Sequence, residues 1–162
     1  MKQEESTDHG KFIRICIDLA SESLAGGDLP FGSVLVQDGV VVAQGQNTGL
    51  VDITGHAEIN AVKDFLSRNQ KNELRECTLY TNFEPCAMCS FIIRDYGIKR
   101  VVFSVASPHL GGHTRWNILS AEISEPFTSQ GIEDGPEIIC GVLAEESSVL
   151  FDNLNWKMHH FD

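Results

Sequence analysis

The chain has 162 residues, of which 42% are hydrophobic, and these totals predict one globular domain over residues 1–162 with a single core. No stretch approaches the roughly 18 to 20 consecutive apolar residues of a membrane span, and the polar N-terminus lacks the apolar segment of a signal peptide, so we expect no membrane association and a cytoplasmic location. The formal net charge of −11 should repel phosphate backbones, so nucleic acid is not an expected partner.

The first half of the chain predicts a helix followed by a hairpin. Residues 1–8 are expected to be a frayed terminus, and apolar residues at helical spacing predict a helix from about residue 12 that ends at Gly26-Gly27. The runs FGSVLV and VVVAQGQ flank Asp38-Gly39, a dipeptide typical of tight hairpin turns. A polar loop then leads to a second helix over about 56–68.

The second half predicts parallel strands joined by a helix. CTLYTN and KRVVFSVA read as strands on either side of a helix from Pro85 to Tyr96 that Gly97 closes. Such a strand–helix–strand unit is parallel and right-handed in nearly all proteins. ILSAE is expected as a short helix, PEIICGVL as a fifth strand, and 143–162 as a C-terminal helix. The predicted fold is therefore α/β, a three-layer α/β/α sandwich with a five-stranded mixed sheet and helices on both faces.

Two short motifs predict a metal centre. HAEINAV opens the second helix with His56, and PCAMC places Cys86 and Cys89 three positions apart in the first turns of another helix, with Pro85 at its first position. A helix N-terminus stabilises thiolates, the form of cysteine that binds zinc. Two cysteines and one histidine leave the fourth zinc position open, as in catalytic sites, where the pKa of bound water falls from about 15.7 to about 7. Glu58, two residues after His56, could then carry protons.

Each motif alone has an ordinary structural explanation. An H-x-E sequence is commonly accidental, and a C-x-x-C pair is more often a core pair, a redox motif or half of a structural zinc site. The five cysteines are odd in number and read as buried thiols or metal ligands rather than disulfides. Because each motif lies at a predicted helix start, their combination favours one zinc ion per chain.

The chain resembles the zinc-dependent cytidine and deoxycytidylate deaminase superfamily, whose pattern is H-x-E followed by P-C-x-x-C. LPFGSVLVQDGVVVAQGQN, GHAEINAV, TLYTNFEPCAMC and IKRVVFSVA are similar to the branch of guanine deaminase, free-base cytosine deaminase and transfer-RNA adenosine deaminase, over residues 12 to 106. The resemblance implies a cytidine deaminase-like fold, a homodimer and hydrolytic deamination. In that reaction zinc hydroxide attacks the ring carbon that bears an amine, and ammonia leaves.

The same resemblance assigns roles to residues. It implies that zinc binds His56, Cys86 and Cys89 and that Glu58 moves protons between water and substrate. Further positions match residues that bind the substrate or line its pocket, although Phe31 and Phe83 fit a core role equally well. These positions are Asn47, the backbone N–H of Ala57, Phe31 and Phe83.

The identity of the substrate stays open at the sequence level. The loop SPHLGGHTRWN lacks the acidic residue with which guanine deaminases of this type bind the far edge of the purine. His109, His113 and Trp116 are candidates to contact a ligand, although loop histidines are usually solvated. The C-terminal segment 143–162, with Trp156 and Phe161, resembles the aromatic active-site lids of free-base deaminases, while a helix packing face explains Trp156 equally well.

The sequence is therefore compatible with three functions. The first is a deaminase of a free nucleobase or a related amino-heterocycle, of guanine or cytosine type, acting on a small molecule. The second is a transfer-RNA adenosine deaminase or a nucleoside or nucleotide deaminase, which the acidic charge disfavours. The third is a zinc-binding interaction domain without catalysis, which gives no reason for Glu58 to accompany the metal ligands.

Overall fold

The computed structural model describes residues 2–120, 134–152 and 154. The described helices and strands follow the predicted order except at the expected short helix ILSAE, and short 3-10 helices are also present at Lys71–Glu76 and Val149–Phe151. The elements in chain order are α1 (Lys2–Ala25), β1 (Gly32–Gln37), β2 (Val40–Gln46), α2 (Ala57–Leu66), β3 (Thr78–Phe83), α3 (Ala87–Asp95), β4 (Arg100–Val105), β5 (Glu137–Cys140) and α4 (Ala144–Ser148).

The five strands form one mixed sheet in the order β2-β1-β3-β4-β5. β1 runs antiparallel to both β2 and β3, whereas β3, β4 and β5 are parallel to one another. The predicted hairpin is confirmed: Asp38 and Gly39 both have positive φ, at 51° and 75°, as a two-residue turn requires if it is to match the twist of its strands. The predicted parallel crossover through α3 is confirmed as well.

Helices cover both faces of the sheet. Because successive side chains of a strand point to opposite faces, neighbouring residues of one strand pack against different helices. Leu79 of β3 belongs to the cluster that packs against Phe65 of α2 and Ile93 of α3. The next residue, Tyr80, belongs to the cluster that packs against Phe12 and Ile13 of α1. The α/β/α sandwich predicted from the sequence is therefore the observed architecture.

The observed N-terminal helix is longer than predicted. α1 begins at Lys2 rather than near residue 12, so the predicted frayed terminus is helical from Lys2 to Asp8. The apolar pattern used for the prediction marks only the face that meets the sheet, and the first residues of the helix carry no such pattern. Their glutamine, glutamate and lysine residues have good helix propensity, which permits the extension.

The C-terminal third departs further from the prediction. Ile118 and Leu119 lie in a turn rather than in the predicted short helix ILSAE, whose Ala121 and Glu122 are outside the described residues. Within the part of the C-terminal segment that the structure describes, the predicted long helix is observed as Ala144–Ser148, continued by a 3-10 turn to Phe151. Trp156 and Phe161, the aromatic residues of the predicted lid, also lie outside the described residues.

Close packing of α2 on the sheet brings the start of that helix to the edge where β3 ends. Gly45 of β2 has no side chain where the backbone of Ala57 and Ala61 passes, and a Cβ atom there would overlap Ala57 O. The chain leaves β3 at Phe83 and enters α3 at Ala87. The N-termini of α2 and α3 thus meet at the carboxyl edge of the parallel strands, where ligands bind in open α/β sheets. Among the described residues, no helix is long and apolar enough to cross a membrane.

Candidate functional site

The predicted metal ligands lie at two helix starts. His56 is the N-cap of α2, and Cys86 is the N-cap of α3 with extended backbone at φ −69° and ψ 175°. The prediction that Pro85 opens the helix is therefore wrong by two positions, since the first helical residue is Ala87. Proline fixes only its own φ, which suits the approach to a helix as well as its first turn. Cys89, in that first turn, still directs its sulfur to the same point as Cys86.

The three side chains come together in space. His56 Nδ1 lies 3.5 Å from the Sγ atom of Cys86 and 3.5 Å from that of Cys89. One ligand atom from each residue falls within 4.8 Å of the others, which is the geometry needed to hold one metal ion. One nitrogen and two sulfurs form a donor set that zinc prefers, with a fourth tetrahedral position left for water or substrate.

The pKa values of the two cysteine ligands are shifted in opposite directions. A hydrogen bond from the Cys89 thiol and a second from His56 lower the pKa of Cys86 to about 4. The pKa of Cys89 is raised well above its usual value, first by its hydrogen bond to Cys86 and then by burial. A divalent cation would bind both sulfurs as thiolates and displace the thiol proton of Cys89, so the donor set fits zinc.

Glu58 lies beside the metal ligands. Its Oε1 accepts a hydrogen bond of 3.3 Å from the Thr81 hydroxyl, and its Oε2 lies 3.5 Å from Cys89 Sγ. The side chain is only 7% exposed. Burial, and next the negative charge of Cys86, raise the pKa of Glu58. A carboxyl group of this kind retains its proton to a higher pH than an exposed glutamate, which suits proton transfer near neutrality.

A cavity of about 420 Å³ opens above these residues. Its floor contains His56, Glu58 and Cys86, and much of its wall is apolar. No lysine or arginine is among the described residues that line it. The remaining lining residues are Asp28, Leu29, Phe31, Asn47, Gly49, Leu50, Ile53, Phe83, Glu84, Ser107 and Leu110.

Three of the substrate-binding residues expected from the resemblance line this cavity. Asn47 directly follows β2, is 4% exposed, and donates from Nδ2 to the Asp28 carboxylate at 2.6 Å. Phe31 and Phe83 lie with ring centroids 5.4 Å apart, and Phe151 packs against both at 5.8 and 5.0 Å. Phe151 brings the C-terminal 3-10 turn against the cavity wall, close to where a lid was expected.

The other expected residues do not line the cavity with their side chains. His109 and Trp116 are exposed, Trp116 by 52%, and neither is among the described residues that line the cavity. The His113 ring stands edge-on against Phe103 of the core at 6.3 Å between centroids. Ala57 is the first residue of α2, and its backbone N–H belongs to the helix N-terminus, where helical partners are lacking.

Two carboxylates that line the cavity, Asp28 and Glu84, were not predicted from the sequence. Asp28 follows Gly26-Gly27 and accepts hydrogen bonds from the Leu29 and Leu50 backbone as well as from Asn47. Those backbone and side-chain donors lower the pKa of Asp28 against the opposing effect of burial. Glu84 precedes Pro85 within the motif already quoted and is almost fully buried. An acidic residue directly before a metal-ligand turn was the available signal for Glu84.

The chain is similar in sequence to a family of deaminases. Residues 6–105 match the model of the cytidine and deoxycytidylate deaminase zinc-binding region. The chain is 34% identical to a Haemophilus influenzae tRNA-specific adenosine deaminase over 142 residues, covering 85% of this chain and 78% of that protein. It is 42% identical to a Bacillus subtilis guanine deaminase over 84 residues, covering 50% and 54% of the two chains.

Similarity extends to a further relative and to solved structures. A probable cytosine deaminase from Schizosaccharomyces pombe is 37% identical over 101 residues, covering 61% of each chain. A structure from a study of A-to-I editing by tRNA:A34 deaminases has a TM-score of 0.73 and 27% identity, covering 86% of this chain and 98% of that one. The predicted fold is thereby confirmed.

The family match and the ligand geometry agree on the same residues. The matched region contains His56, Glu58, Cys86 and Cys89, and the three ligand side chains are positioned to bind one zinc ion. The chain therefore belongs to the cytidine and deoxycytidylate deaminase zinc-binding family and is a hydrolytic deaminase.

Proposed function

We propose that this deaminase acts on a free nucleobase or a related small amino-heterocycle. The observation that carries the proposal is the cavity above the ligand set, which has apolar walls and a few polar groups. Its volume of about 420 Å³ falls in the range of roughly 300 to 1,000 Å³ that is typical of small-molecule sites. A planar ring could lie between the Phe31 and Phe83 side of the wall and the metal ligands, with its polar edge toward Asn47.

The charge of the cavity supports a substrate without phosphate. Asp28, Glu58 and Glu84 line it, and no described lining residue carries a positive charge. Across the chain, 23 acidic residues face 12 lysines and arginines. Phosphate groups are normally bound by lysine, arginine or backbone N–H groups, and carboxylates repel them.

The proposed chemistry assigns a task to each residue at the site. Zinc, when bound by His56, Cys86 and Cys89, lowers the pKa of water from about 15.7 to about 7 and so supplies a nucleophile at neutral pH. Glu58 would take one proton from the attacking water and deliver it to the ring nitrogen, and would then pass the proton of the newly added hydroxyl group to the departing amine. Water and the amino-heterocycle become the oxo-heterocycle and ammonia. Asn47 and the Ala57 N–H hold the ring in place.

A transfer-RNA adenosine deaminase is the second candidate. The similarity to tRNA-specific adenosine deaminases in sequence and in fold favours it. Recognition of a transfer RNA would need a basic surface whose affinity falls steeply with salt. The acidic composition of this chain argues against such a surface.

Three predictions about the whole protein accompany the proposal. A homodimer is expected from the resemblance, and the exposed side chains of Leu50, Val51 and Ile53 beside the cavity give an apolar surface that supports it. A single domain and a cytoplasmic location stay predictions.

An ammonia-release screen of the zinc-loaded protein tests the proposal. The substrates are guanine, cytosine, adenine, pterins, triazines and their nucleosides, with transfer RNA in a separate arm. We expect ammonia from at least one free heterocycle and none from the same compound with Glu58→Gln protein. Activity on transfer RNA alone would overturn the proposal in favour of the second candidate. A zinc-loaded protein that releases ammonia from none of these small compounds would also overturn the proposal.

A further inference from the structure

We propose that Glu84 is a positioning residue that fixes the segment Ser107–Thr114 as one wall of the substrate cavity. The inference rests on the proposed function, because the substrate is taken to bind in that cavity. Ser107 and Leu110 of this segment line the cavity, together with Glu84 itself. The affinity for substrate should therefore depend on a carboxylate that need not touch the reacting atoms.

The hydrogen bonds of Glu84 converge on this segment. Oε2 accepts from the Ser107 backbone N–H at 2.6 Å, and Oε1 accepts from the N–H groups of His113 at 3.0 Å and Thr114 at 2.7 Å. The Thr114 hydroxyl lies 2.8 Å from Oε2. The side chain is only 3% exposed, and its hydrogen-bond partners among the described residues are neutral groups of one segment. Several N–H groups thus hold a buried negative charge, as in anion sites built from backbone.

The same segment is also joined to the turn that carries a metal ligand. Gly111 forms a β-bridge with Cys86, and the Gly112 N–H donates to the Pro85 carbonyl at 2.8 Å. A Cβ atom on Gly111 would overlap the Glu84 carboxyl group, so only glycine allows this approach. The Glu84 carboxylate therefore sets the distance between the turn that carries Cys86 and the segment Ser107–Thr114.

The segment contributes to the cavity wall through residues other than the histidine and tryptophan that were expected to bind a ligand. His109 and Trp116 are exposed, and the cavity wall is formed instead by Ser107 and Leu110. The positions of those two residues depend on the backbone, and the backbone depends on Glu84. The side chain at 84 should consequently affect KM more than the chemical step.

Glu84→Gln tests the inference without changing side-chain volume. The amide nitrogen must face either the Ser107 N–H or the His113 and Thr114 N–H groups, so at least one donor meets another donor. With the best substrate of the ammonia screen, we expect KM to rise about tenfold and kcat to change by less than about threefold, because a buried group is left unpaired. Zinc content should stay unchanged, and hydrogen exchange should speed up at Ser107, His113 and Thr114.

Two further variants complete the test. Thr114→Val removes one exposed hydroxyl that contacts the Glu84 carboxylate and should raise KM by a smaller factor. This variant replaces Glu84→Gln in the test if Glu84→Gln does not fold. Glu137→Gln is the matched control, since Glu137 is exposed and pairs with Arg100 at 2.7 Å on β4. It should change neither KM nor hydrogen exchange in the segment.

Unchanged KM and unchanged hydrogen exchange in both Glu84→Gln and Thr114→Val would overturn the inference. A variant that loses zinc and has a lower kcat but an unchanged KM would also overturn the inference, because Glu84 would then support only the turn that carries Cys86. These outcomes differ from failure of the proposed function. In that case the zinc-loaded wild-type protein would release no ammonia from any small heterocycle.

Discussion

Oε2 of Glu58 lies 3.5 Å from Sγ of Cys89, although the two residues are 31 positions apart in the chain. The Thr81 hydroxyl donates to the other carboxylate oxygen, so Glu58 is held on one side by β3 and faces the sulfur pair on the other. The carboxylate is thus a neighbour of the ligand set, while His56, Cys86 and Cys89 form the set itself. This geometry supports the proposal that Glu58 transfers protons while the other three residues bind the metal.

Glu58→Gln should separate those two roles in experiment. The amide keeps the volume and the hydrogen bond from Thr81 but cannot accept the proton of water. Because general acid–base groups contribute about 10² to 10⁴ to rates, kcat should fall by at least about a hundredfold. Zinc content should stay near one per chain by elemental analysis. Loss of zinc in this variant would identify Glu58 as a ligand and contradict its role as a proton carrier.

Asn47→Ala should weaken substrate binding. Asn47 is buried and lines the cavity, and the hydrogen bond from its amide nitrogen to Asp28 fixes the orientation of the side chain. Removing it should raise KM by about 10- to 100-fold, the effect of leaving a buried polar group of the substrate unpaired. Asp28→Asn should raise KM in the same direction by a smaller factor. Steady-state kinetics with unchanged KM in Asn47→Ala protein would exclude Asn47 from substrate binding.

Cys86→Ala should remove the metal and part of the stability. Binding free energy for zinc is available only to the folded site, so a lost ligand lowers the temperature of thermal unfolding. Cys77→Ala is a suitable control, because Cys77 is a fully buried cysteine of the core cluster away from the metal ligands. The control should lose stability through its cavity but retain zinc. Deamination by metal-free Cys86→Ala protein would refute the mechanism.

Asp52 should make the loop beside the cavity sensitive to acid. Its carboxylate accepts hydrogen bonds from the Lys63 ammonium at 3.0 Å and from the Thr54 N–H at 2.9 Å, and these donors lower its pKa to about 2. A pKa lowered by folding stabilises the folded state above the unfolded pKa of about 4, and that stabilisation is lost as pH falls toward 2.

Thermal unfolding as a function of pH tests this assignment. The wild-type protein should be more stable than Asp52→Asn at pH 6, by a small amount because the pair is exposed. The difference should shrink between about pH 4 and pH 2, as the carboxylate of the wild type takes up a proton. A difference that grows on acidification would contradict the sign of the pKa shift.

The sequence was sufficient to predict the parts of the molecule that depend on local chemistry. Asp38-Gly39 specified the hairpin, because both residues tolerate the positive φ of its turn. His56 and the Cys86 and Cys89 pair could be recognised because each motif lies at a helix start. The apolar spacing of α1 indicated its buried face but not its beginning, since the first residues of the helix carry no apolar pattern.

The cavity wall could not be predicted in the same way. Asp28, Glu84 and Ser107 line one cavity only because β1, β3 and β4 lie side by side in the sheet, with the start of β1 at the same edge as the ends of β3 and β4. Strand order is a long-range property that local patterns do not carry. The loop after β4 was expected to use histidine and tryptophan side chains, and its contact with the cavity depends instead on the backbone that Glu84 holds.

Elemental analysis of the purified protein tests the central claim most directly, since all of the proposed chemistry depends on one ion held by His56, Cys86 and Cys89. We predict about one zinc per chain in the wild type and in Glu58→Gln, and none in Cys86→Ala or in His56→Ala. The account would be contradicted if the wild-type protein contained no zinc after zinc-supplemented expression. It would also be contradicted if all four proteins contained equal amounts of zinc.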